Sequence, residues 1–287
     1  PVRERVPQFA DYHGAWVAEG VIEAYDDWLG QLERAAPAVP PWMVRTKLAT
    51  GRVAISAHDW RFGPGATARL RALARTHLCT DFEVVAACVG LYFRRADGLP
   101  AAFGVIHSGR DRARGFEVAG LLRSHVVDVV DHAGIGGAAE AIATRRDELR
   151  ALMAQHAKLP CDEAVRLARR PSGWRAGEPG LWEVELNGMF DAAELAPFDG
   201  AAVRIAQVPL SDEAVCENGG PTVLLSFGFG PDRVRASLRY VSPPLDAALA
   251  RRIAAELESV VVLLHDRPDA PVEDLPALHR IAAEGRP

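Results

Sequence analysis

The side chains best placed to do chemistry lie in one stretch of the chain, residues 103–131. Its first part, Phe103 to His107, is apolar and predicts a strand, and Ser124 to Asp131 predicts a second strand. Between them lies a basic turn, GRDRARG. A strand, a charged loop and a returning strand would place polar groups at the mouth of an apolar sheet, where ligand sites are often built. The alternative is an ordinary strand-loop-strand with a solvated loop.

Two histidines in this stretch are the candidates for a general base. His125 is the first candidate and His107 the second, because both lie at strand ends that could face a cleft. The other histidines are scattered, and a lone histidine is more often a surface or structural residue than a catalytic one. The same structural interpretation remains open, and favoured, for His125 and His107.

Other catalytic and metal-binding patterns are incomplete. The sequence has no G-x-S-x-G elbow and no H-E-x-x-H. The run after Asp131, HAGIGG, completes neither G-x-G-x-x-G nor G-K-[ST], so we interpret it as a loop before a helix. The spacing of His77, Cys79 and Cys88 fits no zinc pattern, so the sequence predicts no metal site. The four cysteines form no C-x-x-C pair, and we interpret them as reduced thiols in a cytoplasmic protein.

Alternating strands and amphipathic helices surround this stretch and indicate an α/β or α+β fold with a mixed sheet. Thr80, followed by Asp81 and Glu83, predicts a helix N-terminus. Helices are predicted over 9–32 in two parts, 66–77, 81–92, 137–155 and 245–264, and further strands over 52–60, 181–187, 203–210, 222–229 and 234–240.

The composition is that of a soluble globular protein. The chain has 287 residues, of which 49% are hydrophobic and 25% charged, enough to bury a sizeable core. The net charge of −5 gives no electrostatic case for nucleic acid or an anionic membrane. No apolar run approaches the length of a membrane span.

Several of these segments resemble the condensation domains of nonribosomal peptide synthetases. GVIHSGRDR fits the family's strand and G-R turn through Gly104, Gly109 and Arg110. VAGLLRSH is similar to the following (V/I)-G-x-F-V-N-T segment, with Ser124 and His125 in place of Asn-Thr. FADYHGAW resembles Y-x-D-Y-x-x-W, and the stretch from RASLRY through ESVVVLL follows the family's closing strand and helix. The resemblance covers nearly the whole chain but only the second half of the family's domain.

The resemblance implies a lobe of the chloramphenicol acetyltransferase-like fold, in which helices cover a mixed sheet. It implies a helical lead-in over residues 1–41, the C-terminal lobe of a condensation domain over 42–267, and a tail over 268–287. Family domains have two such lobes in a V, with the catalytic centre between them.

The family's catalytic motif, His-His-x-x-x-Asp-Gly, is absent from this sequence. No two histidines are adjacent in the sequence. At the two positions where the motif would have histidines, Asp97-Gly98 is preceded by Tyr92-Phe93 and Asp199-Gly200 by Glu194-Leu195. Val129 stands where the family has an arginine that pairs with the motif's aspartate. An arginine without that carboxylate would be a desolvated, unpaired charge, so a valine suits a lobe that lacks the partner.

The resemblance therefore implies part of an amide-forming enzyme that acts on carrier-protein-bound thioesters and lacks its base in this chain. Substrates would arrive on the phosphopantetheine of carrier proteins, and no cofactor is expected on the chain itself. Substrate and carrier contacts are expected at Gly109, Arg110, Arg112 and Ser124. The alternative is a condensation-like module without catalysis that binds a carrier protein or another biosynthetic enzyme.

A lobe of this kind is also expected to need a partner. We expect either a separate N-terminal lobe or a homodimer to cover an apolar interface, with Trp182, Phe227 and Phe229 among the residues left exposed by the chain alone.

Overall fold

The computed structural model describes residue 30 and residues 34–50, 52–107, 124–156, 182–190, 195–198, 201–203, 215–217 and 221–284. Within these residues the longest helices lie along one side of a large sheet. The helices are α1 (Pro41–Thr50), α2 (Pro64–Thr76), α3 (Asp81–Tyr92), α4 (Ala138–His156), α5 (Ala247–Asp266), a 3-10 turn (Val272–Asp274) and α6 (Leu278–Glu284).

The described strands form one mixed, eight-stranded sheet and a separate two-stranded ribbon. The strands of the large sheet are β1 (Ala36–Pro37), β2 (Arg52–Arg61), β3 (Ala101–His107), β4 (Ser124–Val130), β5 (Val184–Phe190), β8 (Val215–Glu217), β9 (Val223–Phe229) and β10 (Val234–Ser242), and the ribbon consists of β6 (Leu195–Phe198) and β7 (Ala201–Val203). In the large sheet β3 pairs with β4 on one side and with β1 and β5 on the other, and the order continues β5-β9-β10-β2-β8. The pairs β1-β3, β3-β5 and β5-β9 are parallel and the others antiparallel.

The hydrophobic core lies between the helices and one face of the sheet. Successive side chains of a strand point to opposite faces, and the inward positions of the central strands are apolar and almost fully buried, as at Phe103, Leu186, Leu225 and Phe227. Helix α3 lies deepest in this layer, since nearly all of its residues are buried. Leu257 and Val260 of α5 belong to the same core. The fold is the predicted α/β arrangement, a mixed sheet covered by helices.

Local sequence signals fix where the two central helices begin. The hydroxyl of Thr80 accepts a hydrogen bond from the Glu83 amide while the Glu83 carboxylate accepts one from the Thr80 amide, which is a complete capping box. The Asp246 carboxylate accepts a hydrogen bond from the Leu249 amide at the start of α5. The prediction of a helix N-terminus at Thr80 is therefore confirmed.

The face of the sheet opposite the core is unusually polar. Glu185, Ser226 and Ser237 are buried there, where strand alternation gives this face the residues between the apolar ones. Glu183 and Thr222 are buried just before β5 and β9 begin. Buried polar groups need partners, and the contacts described below supply them for the two carboxylates.

Helix α1, which the sequence analysis did not predict, supplies one of those partners. Lys47 is buried and its Nζ lies 2.7 Å from Oε2 of Glu183. The same oxygen accepts hydrogen bonds from the amide of Thr222 at 3.0 Å and from its hydroxyl at 2.5 Å. This ion pair joins α1 to the starts of β5 and β9.

The segment expected to be a tail after residue 267 is part of the folded lobe. Val272, Leu275 and Leu278 are buried in the core, and α6 extends to Glu284. Arg94 holds this segment in place, because its guanidinium donates to the main-chain oxygens of Leu275 at 2.7 Å and Pro276 at 3.0 Å. Burial lowers the pKa of Arg94 to about 10. Apolar residues at helical spacing, rather than position near the end of the chain, decide that these residues pack.

The expectation that Phe227 would be exposed is also wrong. The strands β5 and β9 are central in the sheet, and Phe227 points to the core, where it is 1% exposed. Phe229 packs partly against the core as well. Trp182 is half-buried over the opposite face. Of the strand predicted at 203–210, only Val203 lies within the described residues, at the end of β7.

Candidate functional site

The side chains of His125 and Glu185 meet on the polar face of the sheet. The register pairs His125 of β4 with Ile106 of β3, and Gly104 of β3 with Glu185 of β5. His125 and Glu185 thus flank β3 on the same face, and Nε2 of His125 lies 3.2 Å from Oε1 of Glu185. The side chain of His125 is 25% exposed and that of Glu185 is 6% exposed, so solvent reaches the imidazole but hardly reaches the carboxylate.

Trp182 completes this cluster. Its Nε1 donates to Oε2 of Glu185 at 3.4 Å, and its ring centroid lies 5.9 Å from that of His125. The indole lies directly over Gly104, where a Cβ atom would come within 2.2 Å of Nε1. The absence of a side chain at Gly104 is therefore what allows the tryptophan to reach the carboxylate.

His125 presents a partly exposed imidazole beside a buried carboxylate. The carboxylate fixes the ring orientation and favours one tautomer, which is how carboxylates act on catalytic and metal-binding histidines. The tryptophan shields one side of the pair. This is the arrangement among the described residues with the clearest chemical competence, and we call His125, Glu185 and Trp182 the His125 cluster.

The structure places only part of the predicted site. Ser124 and His107 pair through their main chains in the register of β4 and β3. Their side chains, and the whole of Gly109, Arg110 and Arg112, lie outside the described residues. Substrate and carrier contacts at these positions remain predictions.

Val129 lies on the same face of β4 as His125, whereas the side chain of its neighbour Asp128 lies on the opposite face. Asp128 faces α4 and forms an ion pair with Arg145, and both side chains are 3% exposed. Arg145 also donates to Glu148 at 3.0 Å, and burial lowers its pKa. The charge of Asp128 is therefore neutralised inside the lobe, while the polar face carries the apolar Val129 where the condensation pattern has arginine.

Among the described residues, nothing points to a metal site. They contain no group of three or more histidine, cysteine, aspartate or glutamate side chains that could hold a metal ion. A cleft with a volume of about 130 Å³ lies elsewhere, between residues 38–41, residues 94–97 and α6. Its lining includes His279 but not the His125 cluster.

Sequence reasoning identified His125 but missed Glu185 and Trp182. A signal was present, because Glu183 and Glu185 alternate with apolar residues in LWEVELN, a pattern that places both carboxylates on one face. The strand that lies beside these two glutamates in the sheet is determined by the parallel pairing of β3 with β5. That pairing joins distant segments and has no local sequence signature.

Solved structures resemble this fold, whereas no protein-family model and no curated protein sequence matches the chain. The first condensation domain of the calcium-dependent antibiotic synthetase is 14% identical with a TM-score of 0.68, over 92% of this chain and 55% of that one. The chain has the condensation-domain fold. It spans about half the length of that solved domain.

Two further structures support this condensation-domain fold. A four-domain nonribosomal peptide synthetase bound to AMP and glycine is 16% identical with a TM-score of 0.70, over 93% of this chain and 21% of that one. The X-domain from teicoplanin biosynthesis is 17% identical with a TM-score of 0.67, over 97% of this chain and 64% of that one. The predicted fold is confirmed. Among the described helices, none combines the length and the apolar character needed to cross a membrane.

Proposed function

We propose that this chain is the C-terminal lobe of a condensation enzyme of nonribosomal peptide biosynthesis, acting on thioesters that carrier proteins present. The observation that carries the proposal is the match of 92% of the chain to only 55% of a solved condensation domain. The segments that resemble the family follow one another in the order of the second half of that domain.

In this proposal the chain positions substrates and the general base comes from elsewhere. The family reaction joins an acyl or peptidyl thioester to the amine of an acceptor, and the His-His-x-x-x-Asp-Gly motif that would assist it is absent from the chain. Holding two thioesters in a productive orientation is itself a large part of such catalysis. A second lobe on another chain would provide the motif.

A non-catalytic binding module is the alternative. The missing motif and Val129 favour it, because both remove groups that the catalytic arrangement of the family uses. Such a module would still bind a carrier protein or another biosynthetic enzyme. The two hypotheses differ in one respect, which is whether an N-terminal lobe supplied in trans produces amide-bond formation.

Carrier binding tests what both hypotheses share. Titration calorimetry with a phosphopantetheine-bearing carrier protein should give saturable binding, weaker for the carrier without the prosthetic arm. The arginines of the basic turn, GRDRARG, should strengthen binding of the carrier protein at low salt. The triple variant Arg110→Ala, Arg112→Ala, Arg114→Ala should therefore bind the carrier more weakly, and its affinity should depend less on salt. Absence of binding to either carrier form would contradict the proposed function.

Supplying the N-terminal lobe of a condensation domain then separates the two hypotheses. Amide product in the mixture, lost when the motif histidine of that lobe is replaced, would support the enzyme. Carrier binding without product would favour the non-catalytic module.

A further inference from the structure

The turn between α2 and α3 holds a leucine in an unfavourable backbone conformation. Leu78 has φ of +53°, and it is the only non-glycine residue with positive φ among those that the structure describes. In this region the Cβ atom crowds the following carbonyl oxygen, so a leucine is strained. Such strain persists only where the surroundings fix the backbone, and it is concentrated at functional positions.

The hydrogen bonds of the helix end require this conformation. The Cys79 amide donates to the Ala74 oxygen at 2.8 Å and the Leu78 amide to the Arg75 oxygen at 3.4 Å, which together form a Schellman motif. The position of Leu78 in that motif is normally glycine, because glycine adopts positive φ without strain. Leucine is thus the wrong residue for the turn by local criteria.

Little of Leu78 is buried, so burial inside the protein offsets little of the strain. Leu78 is 76% exposed, and Leu99 is the other large hydrophobic residue found exposed in the described part of the chain, at 54%. A scattered exposed leucine needs no explanation by itself. An exposed leucine in a strained position is different, since glycine or asparagine would suit the folded chain better.

Arginines hold the turn and give its surroundings a positive balance. Arg146 donates to the His77 oxygen at 2.6 Å and Arg150 to the Leu78 oxygen at 2.8 Å. The neighbouring carboxylates are already engaged, Asp147 by Arg146 and Glu83 by Arg150. Four arginines (Arg71, Arg75, Arg146 and Arg150) stand against three carboxylates (Asp81, Glu83 and Asp147) around the turn, on a chain whose net charge is −5.

We propose that Leu78 is the apolar anchor of a docking surface for an acidic protein partner, which inserts the leucine into an apolar depression bordered by carboxylates. Anchors of this kind carry most of the binding energy of an interface, and complementary charge around them steers the encounter. The inference rests on the proposed function, which supplies a partner of this chemistry, the carrier protein.

The variant Leu78→Gly separates stability from binding. Glycine relieves the strain, so the melting temperature should stay the same or rise, whereas affinity for a phosphopantetheine-bearing carrier protein should fall about tenfold. Leu78→Asn, which also tolerates positive φ, should behave alike. The matched control is Leu99→Gly, which removes the other exposed leucine and should leave the dissociation constant within about twofold of the parent.

Each outcome of this comparison decides the inference. Weaker binding by Leu78→Gly and Leu78→Asn with undiminished stability supports it. Binding within twofold of the parent overturns it while leaving the proposed function intact, as does a loss of affinity equal to that of Leu99→Gly. If the parent chain binds no carrier, the inference and the proposed function both fail.

Discussion

Glu185 holds His125 across a sheet, 3.2 Å from Nε2 to Oε1, although the two residues are 60 positions apart in the sequence. The contact exists because β4 and β5 lie on opposite sides of β3. Contacting residues do not contribute additively to stability. A double-mutant cycle of His125→Ala and Glu185→Ala should therefore give a coupling energy of about 0.5–3 kcal/mol in urea unfolding. A coupling near zero would show that the pair contributes nothing to the fold.

Gly104 is predicted to tolerate no side chain, because Trp182 occupies the space beside it. Gly104→Ala should destabilise the chain by roughly 1–3 kcal/mol in urea unfolding, the usual cost of overpacking. In a Trp182→Ala background the same change should lose most of its effect. Gly136→Ala is the control, since the nearest atom to its new Cβ is the flexible Glu140 carboxylate at 3.4 Å. Equal losses at the two glycines would disprove the close contact.

Lys47 is predicted to be essential for stability. Lys47→Met removes the cation from Glu183, whose side chain is fully buried, and breaking a buried pair in this way costs about 3–5 kcal/mol. The matched control is Arg69→Met, which breaks the exposed pair with Asp266 and should cost under about 1 kcal/mol. Similar melting temperatures for the two variants would contradict the burial of the Lys47 pair.

Acid should destabilise the chain partly through Glu83. Burial raises the pKa of this carboxyl, but hydrogen bonds from Arg150 and Thr80 outweigh burial and hold the pKa below its ordinary value. A depressed folded pKa means that the stabilisation is present above the unfolded value and is lost as the pH falls through the folded one. Glu83→Gln should therefore lose less stability than the parent as the pH falls from about 5 to about 3, a window that spans the ordinary glutamate pKa of about 4.3.

The control for this pH dependence is Glu273→Gln, which removes an exposed carboxylate of the 3-10 turn. Thermal unfolding across the same pH series measures all three proteins. If Glu83→Gln and the parent lose stability in parallel, the hydrogen bonds of Glu83 do not carry the acid sensitivity.

Sequence reasoning works in this chain where one segment contains its own signal. Thr80 and Glu83 predict a capping box within four residues, and the apolar spacing of Leu249, Ile253 and Leu257 predicts α5. The burial of Phe227 could not be derived in this way, because it depends on the central place of β9 between β5 and β10. Strand neighbours are chosen by packing across the whole sheet.

The same reason explains what was missed in the candidate site. His125 could be identified from its position at a strand end, whereas its carboxylate partner required the register of two parallel strands.

Helix α1 is not predicted because its apolar residues do not form a strong one-sided stripe. Lys47 alone is typical of a surface residue, and only its contact with Glu183 explains its burial. The sequence after residue 267 predicts a tail, because the short elements there have few apolar residues at regular spacing.

The most direct test of the central proposal is amide formation by the chain alone. Aminoacyl-loaded and acyl-loaded carrier proteins are incubated with the chain, and product is followed by mass. The account predicts no product above the reaction without protein, both for the parent and for His125→Ala, because the chain lacks the catalytic motif. Amide product that forms with the parent and disappears in His125→Ala would contradict it, and would make the His125 cluster a catalytic centre in its own right.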